Sequence, residues 1–197
     1  LDLNVMELTV MRRQPQQFVS DGIEVRQFWA VSSDGERIPY FHVGKNAAPD
    51  TPTLVYAYGG FGVPELPHYL GSIGKYWLEE GNAFVLANIR GGGEFGPRWH
   101  QAAQGISKHK SVDDLLAVVR DLSERGMSSP KHIGLQGGSN GGLITAAAFV
   151  REPQSIGALV CEVPLTDMIR YPLLSAGASW TDEYGNPQKY EVCKRWL

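Results

Sequence analysis

The sequence IGLQGGSNGGLITAAAFV, which occupies Ile133–Val150, constrains the architecture of this chain more than any other segment. It opens with a short run of strand type, passes through Gly137-Gly138-Ser139-Asn140-Gly141, and continues as an apolar, alanine-rich run that predicts a helix. A serine framed by glycines in the pattern G-x-S-x-G, between a strand and a helix, predicts a tight turn that displays the serine hydroxyl. Glycines are needed there because the turn is strained and the helix packs close to the strand. The segment therefore predicts a strand, a nucleophile elbow at Ser139 and a helix.

Chemistry at Ser139 requires a partner, because a serine hydroxyl is a weak nucleophile at neutral pH. In enzymes with this elbow, an aspartate or glutamate and then a histidine follow the serine along the chain. The elbow predicts a serine hydrolase, yet every histidine of the sequence precedes Ser139, and His100 is the candidate for a substitute base. The alternative is an ordinary glycine-rich turn, which the flanking strand and helix disfavour. The five histidines are His42, His68, His100, His109 and His132.

The N-terminal part of the chain predicts a lead-in followed by a hairpin. Residues 1–20 are polar and weakly patterned, which predicts a lead-in or linker before one domain at residues 21–197. Ile23–Val31 and Ile38–Val43 have strand character, and the intervening Ser-Asp-Gly-Glu predicts a turn. Pro39 has no N–H for a sheet ladder, so we expect the second strand at an edge of the sheet.

Strand and helix patterns alternate beyond residue 52, which predicts an α/β domain with a doubly wound, mostly parallel sheet. The strongest helix pattern begins at Ser111, where Asp114 would complete a capping box, and ends at Gly126. The other predicted elements are strands at Thr53–Tyr58, Ala83–Ile89 and Ile156–Val163 and a helix at Tyr69–Glu80.

The composition excludes several classes of function. With 197 residues, 43% hydrophobic and 20% charged, the chain is long enough for one globular domain with a sizeable core. A net charge of −3 shows no excess of basic residues of the kind that binds nucleic acid. No apolar run reaches the length of about 18 residues that predicts a membrane span. Two cysteines, Cys161 and Cys193, exclude a disulfide framework. Few cysteines and no signal-like start make a cytoplasmic location the default expectation.

A second glycine-rich stretch formally fits a dinucleotide-binding fingerprint. Gly91–Gly96 follows a strand in the pattern G-x-G-x-x-G, but that fingerprint needs a helix that opens at once. Pro97-Arg98-Trp99-His100 shows no helical period, so nucleotide binding is disfavoured. We expect Arg90 and Glu94 to brace this loop. No metal-ligand spacing is present, and we predict no metal and no cofactor.

Four segments together carry a family resemblance. They are YAYGGF at Tyr56–Phe61, ANIRGGGEFG at Ala87–Gly96, GGSNGG at Gly137–Gly142 and SWTDEYG at Ser179–Gly185. In order and spacing, from about residue 22 to the end, the sequence resembles the catalytic domain of the prolyl oligopeptidase family of serine peptidases. The resemblance implies an α/β-hydrolase fold and a peptidase that cleaves short peptides after proline or a related residue.

The resemblance also implies roles for individual residues. Ser139 would be the nucleophile, while the Tyr58 hydroxyl and the Asn140 backbone N–H would hold the oxyanion. A tyrosine hydroxyl can donate to developing negative charge, although Tyr58 could instead be a core tyrosine at a strand end.

The same match implies a pocket for the residue before the scissile bond. Trp180 and Phe61 would line it, with the indole stacked on a proline ring, and Leu165 and Tyr184 match further pocket positions. A flat aromatic face suits a rigid ring, although Trp180 could also be plain packing.

The resemblance finally implies that the catalytic domain is C-terminally incomplete. The family's triad aspartate and histidine match no residue of this sequence. We therefore expect the chain alone to be inactive. Because a sheet edge and an apolar face would be uncovered, we also expect it to associate or to need the missing segment. Its expected partners are a short peptide substrate, the missing C-terminal segment and a probable β-propeller domain, with no nucleic acid and no membrane. A lipase or esterase, or a non-catalytic binding module of the same fold, are the alternatives.

Overall fold

The computed structural model describes residues 9–189, in which six strands form one sheet of order β1-β2-β4-β3-β5-β6. Cys193 and the first eight residues of the predicted lead-in lie outside this range. Strands β4, β3, β5 and β6 run parallel, whereas β2 is antiparallel to both of its neighbours. The strands are β1 (Glu24–Val31), β2 (Arg37–Gly44), β3 (Thr53–Ala57), β4 (Ala83–Ala87), β5 (Ile133–Gly138) and β6 (Ala158–Glu162).

Helices cover both faces of the sheet, so the doubly wound, mostly parallel sheet is confirmed. On one face α3 lies over β1 and β2 and α4 over β5 and β6, and these elements enclose the main core. A second apolar cluster on the other face includes Leu78, Phe84 and Leu86. The helices are α1 (Gly71–Ile73), which continues as a π-helical turn (Gly74–Leu78), α2 (Pro97–Gln101), α3 (His109–Glu124), α4 (Asn140–Arg151) and α5 (Thr181–Tyr184). Short 3-10 turns lie at Gly105–Ser107, Pro153–Ser155, Tyr171–Leu173 and Gly177–Trp180.

The predicted hairpin is confirmed, but the edge position predicted from Pro39 is wrong. Strand β2 lies between β1 and β4. The ladder between β2 and β4 begins at Tyr40, which faces Ala87, so Pro39 lies at its end. There its carbonyl accepts a hydrogen bond from the Asn88 N–H at 3.0 Å. The proline therefore occupies a place in an interior strand where its missing N–H interrupts no ladder.

The helix predicted at Tyr69–Glu80 is shorter in the structure, and its second half is a π-helical turn. Part of the predicted lead-in packs against it. The Phe18 ring stacks on Tyr69 with 5.1 Å between centroids, and the Gln17 N–H donates to the Tyr69 hydroxyl. A side chain at Gly74 would bring its Cβ to 2.2 Å from the Phe18 ring, so this contact requires glycine.

The capping box predicted at the start of α3 is not formed. The helix begins at His109, two residues before Ser111. The Asp114 carboxylate is fully buried and accepts hydrogen bonds from Arg90 and from the Ser32 hydroxyl. A buried guanidinium is a stronger partner for a carboxylate than a helix N–H, which explains the difference. The predicted end of the helix at Gly126 is confirmed, with the Met127 N–H donating to Leu122 O.

The second glycine-rich loop, Gly91–Gly96, packs against the loop that follows β3. The Gly62 N–H donates to Gly91 O at 3.1 Å, and the Gly91 N–H donates to Trp99 O at 3.0 Å. The five-residue helix α2 does follow this loop, contrary to the sequence prediction. Arg90 and Glu94 brace it as predicted, since Arg90 binds Asp114 and the Glu94 carboxylate accepts the Glu65 N–H.

Candidate active site

Ser139 lies on a strained turn between β5 and α4. Its backbone has φ 54° and ψ −117°, a left-handed φ that residues other than glycine rarely adopt. The Ser139 N–H donates to Glu162 O in the neighbouring strand at 2.9 Å, and the side chain is exposed. The predicted strand, turn and helix around Ser139 are therefore confirmed as geometry, and the hydroxyl is accessible. Such strain is found at functional sites, where surrounding contacts hold it in place.

Close packing behind the turn explains its glycines. A side chain at Gly141 would place its Cβ 2.4 Å from Ala57 O, at the end of β3. The elbow therefore rests directly on the end of β3, and this contact brings Tyr58 beside Ser139.

Tyr58 follows β3 and is half-buried. Its side chain lies close enough to that of Ser139 for the two to interact. Burial, together with the negative charges of Glu183 and Glu65, raises the pKa of the Tyr58 phenol above its ordinary value. Tyr58 is thus a neutral phenol at physiological pH, with a proton to donate at the site of the serine.

Asn140 is the first residue of α4 and is fully buried. Its backbone N–H has no acceptor within the helix, as is usual for the first residues of a helix. The side-chain amide is occupied on both sides: Nδ2 donates to Tyr58 O at 2.5 Å, and Oδ1 accepts from the Tyr184 hydroxyl at 3.0 Å. Asn140 therefore holds the Tyr58 main chain against the elbow.

The four predicted pocket residues lie in one neighbourhood. Leu165 and Trp180 are half-buried and pack against a small cluster that contains Tyr184. Phe61 is 37% exposed and meets Tyr184 edge to face, with 5.7 Å between ring centroids. Tyr184 differs from the prediction in one respect: it is fully buried, so it supports Phe61 and Asn140 and presents no surface of its own. Phe61 and Trp180 are the aromatic residues with accessible faces.

Sequence reasoning missed a buried group of charged residues next to this neighbourhood. Glu183 in α5 is 2% exposed and binds both Lys108 and His100. His100, the candidate substitute base, therefore has a carboxylate partner, and none of the five histidines, all within residues 9–189, forms a hydrogen bond with Ser139. Glu183 belongs to the segment quoted for the family resemblance, but no local pattern indicates its partners.

Two classes of site are not found among residues 9–189. No three His, Cys, Asp or Glu side chains in this range are arranged to hold a metal ion. No helix in the same range is long and apolar enough to cross a membrane.

A sheet of this order, with a nucleophile elbow after its fifth strand and a helix that leaves directly from it, is the architecture of an α/β-hydrolase catalytic domain. Over residues 70–196 the sequence matches the model of the prolyl oligopeptidase family, and the chain belongs to that family. The resemblance read from the four sequence segments is therefore confirmed, as is the α/β-hydrolase fold.

Individual relatives agree with this assignment. The uncharacterized peptidase y4nA of Sinorhizobium fredii is 46% identical over 176 residues, which cover 88% of this chain and 24% of that protein. The prolyl endopeptidase of Elizabethkingia meningoseptica is 33% identical over 177 residues, covering 88% of this chain and 24% of the relative. The solved structure of a post-proline cleaving enzyme from Rickettsia typhi superposes with a TM-score of 0.94 at 41% identity, over 98% of this chain and 28% of that one. The chain thus spans about a quarter of the length of these relatives.

Proposed function

We propose that this chain is the nucleophile-bearing part of a serine peptidase that hydrolyses short peptides after proline or a related residue. The observation that carries the proposal is the exposed, strained Ser139 with the Tyr58 side chain beside it. Membership of the prolyl oligopeptidase family and similarity to enzymes named for post-proline cleavage support it.

In the proposed reaction, the Ser139 Oγ attacks the carbonyl carbon of the scissile peptide bond and gives its proton to a general base. The negative charge that develops on the carbonyl oxygen is stabilised by the Tyr58 hydroxyl and the Asn140 N–H. The base returns the proton to the leaving amine as the carbon–nitrogen bond breaks, which leaves an acyl-enzyme on Ser139. Water then hydrolyses this ester by the same steps in reverse. We assign the base and its acid partner to polypeptide outside the described residues.

Substrate preference is proposed to come from Phe61 and Trp180. Both aromatic side chains are partly accessible, and both contact the cluster around Tyr184. A flat aromatic face buries a proline ring with little loss of side-chain freedom, which favours proline over flexible residues.

A hybrid enzyme tests the proposal. In this hybrid the chain replaces the matching 28% of the Rickettsia typhi enzyme, whose remainder supplies the rest of the catalytic domain. We expect the hybrid to hydrolyse a reporter peptide with proline before the scissile bond. The isolated chain is expected to be slower by about a million-fold, because a serine without its base retains little activity.

Two outcomes would count against this proposal. A cooperatively folded hybrid without turnover of the proline reporter would contradict the function. Brisk hydrolysis by the isolated chain, abolished by Ser139→Ala, would contradict the assignment of the base to other polypeptide.

Removal of the Tyr58 hydroxyl is expected to affect the transition state selectively. In Tyr58→Phe hybrid enzyme, kcat should fall by about 10²–10³-fold with little change in KM, because the donor acts on charge that develops only during reaction. Tyr56→Phe is the matched control: this tyrosine is also partly buried, but it lies within β3 and packs in the cluster that contains Phe84 and Leu86. Steady-state kinetics of both variants decide the matter, and equal losses in the two would argue against an oxyanion role for Tyr58.

A further inference from the structure

We propose that Lys108 and His100, acting through Glu183, are positioning residues that hold the two sides of the substrate pocket at a fixed position relative to each other. One side is the loop Tyr58–Gly62, and the other is the segment Trp180–Tyr184. We call Lys108, Glu183 and His100 the carboxylate bridge. Its role in substrate preference rests on the proposed function, whereas its role in ordering the two segments does not.

The carboxylate of Glu183 is the centre of this bridge. Its Oε1 accepts a hydrogen bond from the Lys108 Nζ at 2.6 Å, and its Oε2 lies 2.6 Å from the His100 Nε2. Burial alone would raise the pKa of the Glu183 carboxyl, but Lys108, His100 and the backbone N–H of Phe61 lower it overall. The group is therefore a carboxylate held between Lys108 and His100.

Lys108 connects this carboxylate to the loop that carries Tyr58. Its Nζ also donates to Gly59 O at 2.9 Å, between Tyr58 and Phe61 in the sequence. The same ammonium lies 5.6 Å from the centre of the Tyr184 ring, within cation–π range. Lys108 is 2% exposed, so water cannot replace these partners. One buried cation thus binds both sides of the pocket.

Stability alone does not require this arrangement. A buried ion pair is often no more stabilising than apolar residues of the same volume, because both charges lose their hydration. A buried ion pair does require a fixed geometry, since each donor must reach its acceptor. Trp180 lies three residues before Glu183, and Tyr58 precedes Gly59 directly, so this geometry is passed to the residues proposed to bind substrate.

Amide hydrogen exchange of the 197-residue chain tests the ordering role. In Lys108→Met, which keeps the length of the side chain, exchange at residues 58–62 and 180–185 should be about tenfold faster or more, while exchange in β5 stays unchanged. Lys110→Met is the matched control, because Lys110 pairs with Asp34 at the surface and has no contact with Glu183. Unchanged exchange in both pocket segments, or equal acceleration in β5, would overturn the proposal.

A specificity ratio tests the functional role in the hybrid enzyme. We expect Lys108→Met to lower the ratio of kcat/KM for a proline reporter to that for an alanine reporter by about tenfold, since small displacements at a site are costly. The ratio does not depend on the folded fraction, so a residue needed only for stability would leave it unchanged, and that result would overturn the role. If the hybrid shows no turnover at all, the proposed function fails while the exchange result still stands.

Two further variants keep the test decisive if Lys108→Met does not fold. The double variant Lys108→Met/Glu183→Leu removes both buried charges together and should fold, but it should show the same loss of order and of proline preference. His100→Gln retains an N–H donor near the position of Nε2, so it should preserve the ratio that His100→Leu lowers. A double variant with native exchange and native preference would overturn the proposal.

Discussion

Replacing Ser139 by alanine is expected to lower kcat of the hybrid enzyme for a proline reporter peptide by about a million-fold. The Oγ is the atom that forms the acyl-enzyme, and no other described hydroxyl can replace it there. The hydroxyl of Tyr58, which lies beside Ser139, has a raised pKa, and this makes it a poor nucleophile at neutral pH. The residual rate should reflect the oxyanion donors and substrate binding alone.

Steady-state kinetics and labelling with a fluorophosphonate probe measure this effect. Ser129→Ala serves as the control, because Ser129 is a half-buried serine whose hydroxyl donates to Pro49 O in a remote loop. The control should keep native turnover and native labelling. Activity of Ser139→Ala within tenfold of the unaltered hybrid would show that another group carries the reaction.

Replacing Arg90 by leucine is expected to lower the free energy of unfolding by about 3–5 kcal/mol, the usual cost of leaving a buried charge without its partner. The Arg90 side chain is 3% exposed and its partner Asp114 is 0% exposed. The guanidinium donates to both carboxylate oxygens of Asp114, at 2.9 and 2.6 Å, and to Asp34 in the turn between β1 and β2. The substitution would leave the Asp114 charge buried with the Ser32 hydroxyl as its remaining side-chain donor.

Urea unfolding of the isolated chain, followed by circular dichroism, measures this change. Arg170→Leu is the control, since Arg170 pairs with Asp167 on the surface with its side chain 72% exposed. Such exposed pairs contribute about 0–1 kcal/mol. A loss for Arg90→Leu no larger than for the control would contradict a stabilising role for the buried Arg90–Asp114 pair.

The contact between Arg90 and Asp34 makes the stability of the fold depend on pH. Hydrogen bonds from Arg90 are the largest cause that lowers the pKa of the Asp34 carboxyl far below its ordinary value. A carboxyl whose folded pKa is depressed stabilises the fold above its unfolded pKa of about 4, and that contribution is lost as the pH falls further. Acid should therefore weaken the attachment of the hairpin turn to α3.

The features that sequence predicted well are those whose cause is local. The elbow at Ser139 follows from glycines next to a strand and a helix, and α3 follows from apolar residues at helical spacing. The buried strand β4 was predicted because all five of its residues are apolar. In each of these cases the neighbours in sequence are also the neighbours that determine the structure.

Several of the failures involve partners that are distant in the chain. Pro39 is in an interior strand because Asn88, 49 positions later, meets its carbonyl at the end of the ladder. Asp114 has the sequence context of a helix-capping residue, yet its carboxylate binds Arg90 instead of the helix N–H groups. His100 could not be recognised as the partner of Glu183 from either position alone. Buried polar side chains satisfy their hydrogen bonds wherever the fold brings donors and acceptors together, and sequence spacing does not encode this.

Asn140 contributes both a backbone N–H and a side-chain amide to the site, and this has a consequence for mutagenesis. The backbone N–H proposed to hold the oxyanion survives every substitution at this position except proline, whereas the side chain that fixes Tyr58 and Tyr184 is lost in all of them. A kinetic defect in any variant of residue 140 would thus report on how the neighbouring tyrosines are anchored. The contribution of the main-chain donor is accessible only to chemistry that alters the peptide bond itself, such as replacement of the amide by an ester.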